Sequence, residues 1–171
     1  MHAPQHKSDV TSMERITLDD LECPTIRAGV DYWRFLRGQR LFPAREDLRP
    51  RDIAGLLRSM SLIRVADGDF QYRVVGDSIV QAYDITLQAR WLSDIETEMP
   101  AFGSFVRPIF RHLVESRNAV AVRGRIGYYS PHLNFTHYEN VLLPLGPDDD
   151  TVDHILVFSN YVMRMASGGR M

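Results

Sequence analysis

Histidines and carboxylates are the side chains of this sequence that could carry acid–base chemistry. His137 and Glu139 are two residues apart in a segment with the pattern of a strand, so they would share one face of that strand. An enzyme would need two such groups converging in one pocket. This pair, or His154, is therefore the candidate for a small enzyme on a cone-shaped α+β fold.

The remaining histidines and the acidic run favour structural roles over metal binding. His112 lies three residues before Glu115 on a predicted helix; a histidine there could ligate a haem iron, but the arginines beside it favour a solvated helix face. His132 and His137 are five apart, which sends them to opposite faces of a continuous strand. Residues 148–150 lack the alternating oxygen ligands of a calcium loop. We therefore predict no metal site and disfavour haem.

Composition narrows the class of protein. The chain has 171 residues, a formal net charge of −2 and 44% hydrophobic residues, which fits one globular domain and argues against nucleic-acid binding. Cys23 is the only cysteine, so no intrachain disulfide forms. The first residues are polar, and no stretch reaches the length of a membrane span. We therefore predict a cytoplasmic protein.

One stretch places a strand directly before a helix. Phe70, Tyr72 and Val74 alternate with their neighbours in the period-two pattern of a strand, and Gly76 ends it. Asp77 then provides a capping side chain ahead of apolar residues, as at the start of a helix. The returning helix must bury its apolar side against the sheet, and the space between them is where a ligand could bind.

The order of predicted elements is helix, helix, two strands, several short helices, one longer helix and three strands. The last three strands are expected over 119–129, 134–145 and 153–165. This order predicts an α+β fold: a five-stranded antiparallel sheet with helices on one face, preceded by N-terminal helices. We divide the chain into a flexible arm (1–20), the N-terminal helices (21–58), the sheet-and-helix core (59–165) and a frayed tail (166–171).

Apolar side chains converge on the space between the helices and the sheet. They either fill the core or line a cavity for a planar or acyl ligand. The candidates for a cavity are Tyr72, Val74, Tyr83, Trp91, Phe105 and Ile109.

A second apolar stripe lies on the first helix, which Pro24 opens and Gly38 ends. Such a stripe must cover either the sheet or the same helix of a second chain, and we expect a mixture of both. We predict that Ile26, Val30 and Trp33 form a dimer or partner surface.

Five blocks of sequence, in a fixed order, carry a resemblance to a known family. They are Trp33–Gly38, Pro43–Arg45, Arg49–Ile53, Phe70–Val80 and Tyr138–Leu145. Together they resemble a divergent bacterial PAS family, found mainly in alphaproteobacteria and often as single-domain proteins. The likeness covers about 30–162.

The resemblance implies a sensory or protein-interaction module that dimerises through its N-terminal helix. Domains of this type hold haem, flavin, a small metabolite or nothing. The Asn-Cys-Arg pattern of the photoactive flavin subgroup is absent, since Cys23 precedes the core. The family often shows a second Gly-Arg near the helical middle; here the sequence is Gln88-Ala89-Arg90, so only Arg90 carries over.

These observations predict a non-catalytic regulator in signal transduction. It would bind a signalling protein and a small ligand, and it would form a homodimer. Because the chain ends just beyond the last predicted strand, we expect the signal to pass through a partner. Two alternatives stay open: the small enzyme described above, and a structural adaptor with a filled core.

Overall fold

The computed structural model describes residues 11–126 and 132–165. Its centre is one antiparallel sheet of six strands in the spatial order β1-β4-β5-β6-β2-β3. The strands are β1 (Ser12–Ile16), β2 (Met60–Ala66), β3 (Asp69–Val75), β4 (Val120–Arg125), β5 (Phe135–Leu145) and β6 (His154–Met163). Strand β5 and the segment 155–159 of β6 are mostly buried, as expected for strands covered on both faces.

Helices cover both faces of this sheet. They are α1 (Pro24–Arg37), α2 (Asp77–Ala82), α3 (Leu92–Glu98) and α4 (Pro100–Ser116), together with a 3-10 segment over Pro50–Ser59. Helices α2 and α4 lie over one face, and α1 packs on the other. The predicted α+β class with an antiparallel sheet is confirmed. Within the described ranges, no helix has both the length and the apolar character needed to cross a membrane.

The first strand was not expected. We predicted a flexible arm over 1–20, whereas Ser12–Ile16 pairs in antiparallel register with β4, from Ser12 opposite Arg125 to Ile16 opposite Ala121. All but one of its residues are exposed, so the strand carries no apolar alternation that would reveal it. The sheet therefore has six strands where the sequence predicted five. Residues 1–10 of the expected arm, residues 127–129 of the third expected strand and the expected tail at 166–171 lie outside the described residues.

A β-bulge between β2 and β3 changes which face each side chain occupies. Ile63 lies opposite Tyr72, but Leu62 lies opposite Val74, so Arg73 is an extra residue in β3. A one-residue shift moves every following side chain to the other face. Tyr72 therefore faces α4, while Val74 faces the 3-10 segment on the opposite side.

The apolar stripe of α1 covers the sheet of its own chain. Ile26, Val30 and Trp33 are all buried in the core, and the indole Nε1 of Trp33 donates a hydrogen bond to the carbonyl of Pro144 at 2.9 Å. Gly29 lets the helix approach closely, since a Cβ there would overlap the ring of Phe158. The stripe that we expected on a dimer or partner surface is thus not at the surface of the chain, because the sheet already satisfies its apolar side chains.

Candidate functional site

A small cavity lies between the sheet and helices α2 and α4. Its volume is about 60 Å³. Strands β2, β4, β5 and β6 form its floor, and aromatic side chains from β3, the helices and the loop after α2 form its walls. It is lined by Ser61, Ile63, Tyr72, Ile79, Tyr83, Leu87, Phe102, Phe105, Val106, Ile109, Phe110, Val122, Asn140, Leu142, Val157, Ser159 and Tyr161.

Four of the six predicted cavity residues line this space, namely Tyr72, Tyr83, Phe105 and Ile109. Val74 does not, because the bulge turns it to the other face, where it is 40% exposed. Trp91 does not either: it precedes α3 and pairs with Gln71 in an isolated bridge beside β3. The aromatic pattern therefore grouped residues that share one lining, whereas simple alternation misplaced Val74, and ligand binding in this space stays a prediction.

The polar lining residues were missed at the sequence level. Ser61, Asn140 and Ser159 lie within strands of mostly apolar residues, where an isolated polar residue does not by itself indicate a binding site. Their spacing did contain a signal. Asn140 and Leu142 are two residues apart on β5, so their side chains lie on the same face of the sheet. A prediction that Leu142 faces the helices therefore also places Asn140 on that face.

Tyrosine hydroxyls form part of the polar lining. Burial raises the pKa of Tyr72, and it also raises the pKa of Tyr83 and of Tyr161. The rings of Tyr83 and Tyr161 pack edge to face with their centroids 5.9 Å apart, and the Tyr161 phenol contributes to the raised pKa of Tyr83. These raised pKa values mean that the phenols stay neutral around pH 7 and can donate or accept hydrogen bonds.

One buried polar atom at this site has no protein partner among the described residues. It is the side-chain Oδ1 of Asn140, which is shielded from solvent. A buried carbonyl without a hydrogen bond costs folding free energy, on the order of 1–3 kcal/mol. Such atoms are usually satisfied by water or by a ligand.

The cavity does not fit haem or flavin. Pockets for drug-sized ligands and cofactors typically measure about 300–1,000 Å³, several times the volume available here. His112, the histidine considered for haem, is exposed on the outer side of α4, where its Nε2 lies 3.0 Å from a guanidinium nitrogen of Arg15. The side chains present therefore suit a much smaller guest.

The candidate acid–base pair lies on the opposite face of the sheet. His137 and Glu139 line one open groove, as their spacing predicted. However, Glu139 accepts hydrogen bonds from the backbone amides of Glu22 and Cys23, at 3.0 and 2.9 Å to Oε1. His137 Nδ1 is engaged with the hydroxyl of Thr136 at 3.0 Å. Glu139 therefore anchors the start of α1.

His154, the other acid–base candidate, is remote from this groove. His154 lies opposite Leu145 of β5. Leu145 is six residues from Glu139 along that strand, so about 20 Å separates His154 from Glu139 along the strand direction. Its Nδ1 lies 2.9 Å from the carboxylate of the adjacent Asp153. Across residues 11–126 and 132–165, no group of three His, Cys, Asp or Glu residues is arranged to hold a metal ion.

The loop that resembles the family's Gly-Arg segment closes the edge of β3. The Gln88 side chain accepts a hydrogen bond from the amide of Val75 at 2.9 Å and donates one to the carbonyl of Arg73 at 2.6 Å. Ala89 has a φ of 63°, in the left-handed region that glycine favours. Arg90 forms an ion pair with Glu98 at 3.0 Å. Ala89 therefore adopts a backbone conformation that glycine would adopt more easily.

Comparison with known proteins agrees with this architecture. A family model described as a PAS domain matches residues 21–158, most of the chain, so the chain belongs to the PAS domain family. Neither the curated proteins nor the solved structures gave a match. The PAS-like α+β fold and the PAS resemblance are thereby confirmed. Since PAS domains are generally non-catalytic sensory modules, membership supports a role in signal transduction.

Proposed function

We propose that this chain is a regulatory module of signal transduction, which binds a small ligand and passes the signal to a partner protein without catalysing a reaction. The observation that carries the proposal is the cavity inside a PAS domain, with the buried and unpartnered Oδ1 of Asn140 on its wall. In the groove with His137, Glu139 accepts hydrogen bonds from backbone amides, which favours an anchoring role for this carboxylate over acid–base chemistry.

The central strands connect the cavity to the opposite face of the sheet. On β5, Asn140 lines the cavity, and its neighbour Glu139 binds the backbone at the start of α1. On β6, Ser159 lines the cavity, and its neighbour Phe158 packs against Gly29 of α1. A guest that moves either strand would therefore also move a contact of α1. This arrangement supports α1 as the element that reports the signal.

The surface available to a partner on α1 is the side opposite its buried stripe. Phe35 is 80% exposed there, which is unusual for a large aromatic residue. Leu41, just beyond the helix, is 52% exposed. We propose that the exposed Phe35 and Leu41, in place of the buried Ile26, Val30 and Trp33, mark the side of α1 on which a second copy of the chain docks.

The first test combines native mass spectrometry with an absorbance spectrum of protein purified from its own host. A bound small mass would support the sensory proposal, and a visible chromophore would contradict the small cavity. A clean dimer without any bound mass would favour the structural adaptor with a filled core, and capture of its partner would be the next step.

The dimer is tested by size-exclusion chromatography with light scattering on the Phe35→Ser variant. We expect the dimeric fraction to fall while the circular dichroism spectrum stays unchanged. The matched control is Val162→Ser, which removes an apolar side chain of 52% exposure from the sheet. A monomeric wild-type chain, or equal dimer loss in both variants, would refute docking at Phe35.

A further inference from the structure

A second concave surface lies on the face of the sheet opposite the cavity. It is an open groove of about 410 Å³ between the 3-10 segment, strands β2 and β3 and the start of α2, and we call it the Val74 groove. Its bottom is apolar and buried. The side chains that remain partly accessible on its walls are also apolar, and they are Leu48, Leu57, Val74 and Val75.

The β-bulge at Arg73 contributes to the apolar character of this groove. It turns Val74 towards the 3-10 segment, where 40% of the residue stays exposed. The facing wall, Pro50–Ser59, is a 3-10 segment of ten residues, whereas 3-10 helices seldom exceed about four residues. It is interrupted at Ile53, whose backbone angles are not helical. A long and interrupted 3-10 segment has poorer hydrogen-bond geometry than an α-helix, so this wall can adjust to a guest.

Two arginines at the rim of the Val74 groove lack a counter-ion. Arg45 and Arg58 line the groove and are exposed, and within the residues that the structure describes neither forms an ion pair or a side-chain hydrogen bond. Asp77 is the one carboxylate among the described lining residues, and no ion pair joins it to either arginine. The rim therefore has an excess of positive charge beside apolar walls.

The rest of the chain does not complement this rim. Among the segments outside the described ranges, 166–171 has an arginine and no acidic side chain, 127–131 has no charged side chain, and 1–10 balances one lysine with one aspartate. Helix α1, on which a second copy is proposed to dock, has three arginines and one aspartate. Its positive charge would be repelled by Arg45 and Arg58. The complementary occupant is therefore a different molecule that carries negative charge.

The shape of the groove favours a protein segment over a lipid surface. A bilayer is penetrated by apolar side chains that protrude, whereas Leu57, Val74 and Val75 lie in a concavity. A polypeptide segment can place its own apolar side chains in such a groove.

We propose that the Val74 groove docks an acidic segment of a partner protein, which places apolar side chains against Leu57 and Val74 and carboxylates beside Arg45 and Arg58. This step depends on the proposed role of the chain as a module that passes a signal to a partner protein. It names the chemistry of the segment that the partner must present.

Three peptide pools test this chemistry without depending on one peptide sequence. Each pool contains blocked peptides of about ten residues with random order. One is made of leucine, serine and glutamate, and the other two have glutamine or lysine in place of glutamate. Each is titrated into the full ¹⁵N-labelled chain up to about 1 mM, which covers weak recognition. The readout is the set of amide shifts at Leu57, Val74 and Val75.

We expect saturable shifts with the glutamate pool, about fivefold weaker binding of the glutamine pool and no saturable shift with the lysine pool, since exposed ion pairs each contribute modestly. The double variant Arg45→Gln, Arg58→Gln should bind the glutamate pool about fivefold more weakly than the wild type, and its binding of the glutamine pool should not change. This difference isolates the pairing of the arginines with carboxylates.

The matched control is the double variant Arg27→Gln, Arg111→Gln. It removes the same charge from exposed positions on α1 and α4, so it should bind the glutamate pool as the wild type does. Val74→Ser tests the apolar wall and should weaken binding of the glutamate and glutamine pools alike. Val162→Ser, which changes an exposed valine in the groove with His137, should leave both unchanged.

Four results would overturn the inference. They are equal binding of the glutamate and lysine pools, equal loss in the two double variants, saturable shifts near Phe35 in place of Val74, and no saturable shift at all. In that last case, phosphatidylglycerol vesicles that bind the wild type and not the variant at Arg45 and Arg58 would assign the rim to a lipid surface.

The sensory role fails in a different way. If the glutamate pool binds as expected to a chain that carries no small ligand in native mass spectrometry, the docking surface stands and the sensory role is contradicted. If a small ligand is bound but the glutamate pool gives no saturable shift, the docking surface is overturned and the sensory role stands.

Discussion

Ala89 keeps a backbone conformation that alanine rarely adopts. Its φ of 63° is fixed by two backbone hydrogen bonds with β3: its own amide donates to the carbonyl of Tyr72 at 2.8 Å, and the amide of Tyr72 donates to the carbonyl of Arg90 at 2.9 Å. The left-handed region costs an L-residue about 1–2 kcal/mol, and the surrounding hydrogen bonds hold Ala89 there. The family's glycine at this position would carry no such cost.

Replacing Ala89 by glycine should therefore stabilise the protein. The relief of strain is partly offset by the greater freedom of glycine in the unfolded chain, so we expect the free energy of unfolding to rise by up to about 1 kcal/mol. Urea denaturation followed by tryptophan fluorescence measures this change.

The same substitution in a helix should have the opposite sign. Ala28 is exposed in the middle of α1, where glycine is worse than alanine by about 1 kcal/mol. If Ala28→Gly and Ala89→Gly both destabilise the protein, the inference that the backbone of Ala89 is strained is contradicted.

At the scale of elements, the sequence predicted most of the central sheet and the long helix. Strands β2, β3, β5 and β6 have the expected pattern of apolar residues, and α4 follows its run of apolar positions from Pro100. The failures have identifiable causes. Strand β1 is an exposed edge strand without an apolar face. Val74 follows a bulge that the sequence of β3 does not predict.

The stripe on α1 shows a different limit. Its periodicity identified a helix with an apolar face, but periodicity alone does not say whether the sheet or a second chain covers that face. Two details decided it in the structure: Trp33 donates its indole hydrogen bond to Pro144, and Gly29 leaves room for the ring of Phe158. Both depend on contacts distant in sequence. The polar cavity residues were missed for a similar reason, since burial on both faces of β5 masks alternation.

The close approach of α1 to the sheet gives a prediction at this scale. In Gly29→Ala the new methyl group would overlap the Phe158 ring, which is itself fully buried. We expect a loss of about 1–3 kcal/mol in the free energy of unfolding, typical of overpacking. Differential scanning calorimetry measures the corresponding fall in melting temperature.

Two further variants make this test specific. A methyl group added at Gly55 would have no atom within 4 Å of it, so Gly55→Ala should leave the stability nearly unchanged. Replacing Phe158 by leucine in the Gly29→Ala background should recover part of the loss, because it removes the atoms that the methyl group meets. A loss that persists in the double variant would point to the helix backbone itself and not to the contact.

At the scale of the whole molecule, one sheet separates two environments. The cavity with Asn140 lies on one face, and α1 with its exposed Phe35 lies on the other. Glu139 joins the two, because it belongs to the strand that carries Asn140 and accepts the amide hydrogen bonds of Glu22 and Cys23 at the start of α1. A carboxylate at this end of a helix is also favoured by the helix dipole.

Glu139→Gln should loosen the start of α1 without unfolding the sheet. The amide side chain keeps one acceptor oxygen but loses the charge and the second acceptor, and hydrogen bonds to charged groups contribute about 1.5–3 kcal/mol. We expect amide hydrogen exchange at Cys23 to accelerate about tenfold or more, since 1.36 kcal/mol corresponds to a factor of ten. Exchange in the centre of β6 should not change.

The matched control is Glu22→Gln. Glu22 is a neighbouring carboxylate that is 79% exposed and pairs with Arg123, so its loss should leave exchange at Cys23 nearly unchanged. Faster exchange throughout the sheet in Glu139→Gln would instead make Glu139 a determinant of global stability, and the separate mobility of α1 that signal transfer requires would be refuted.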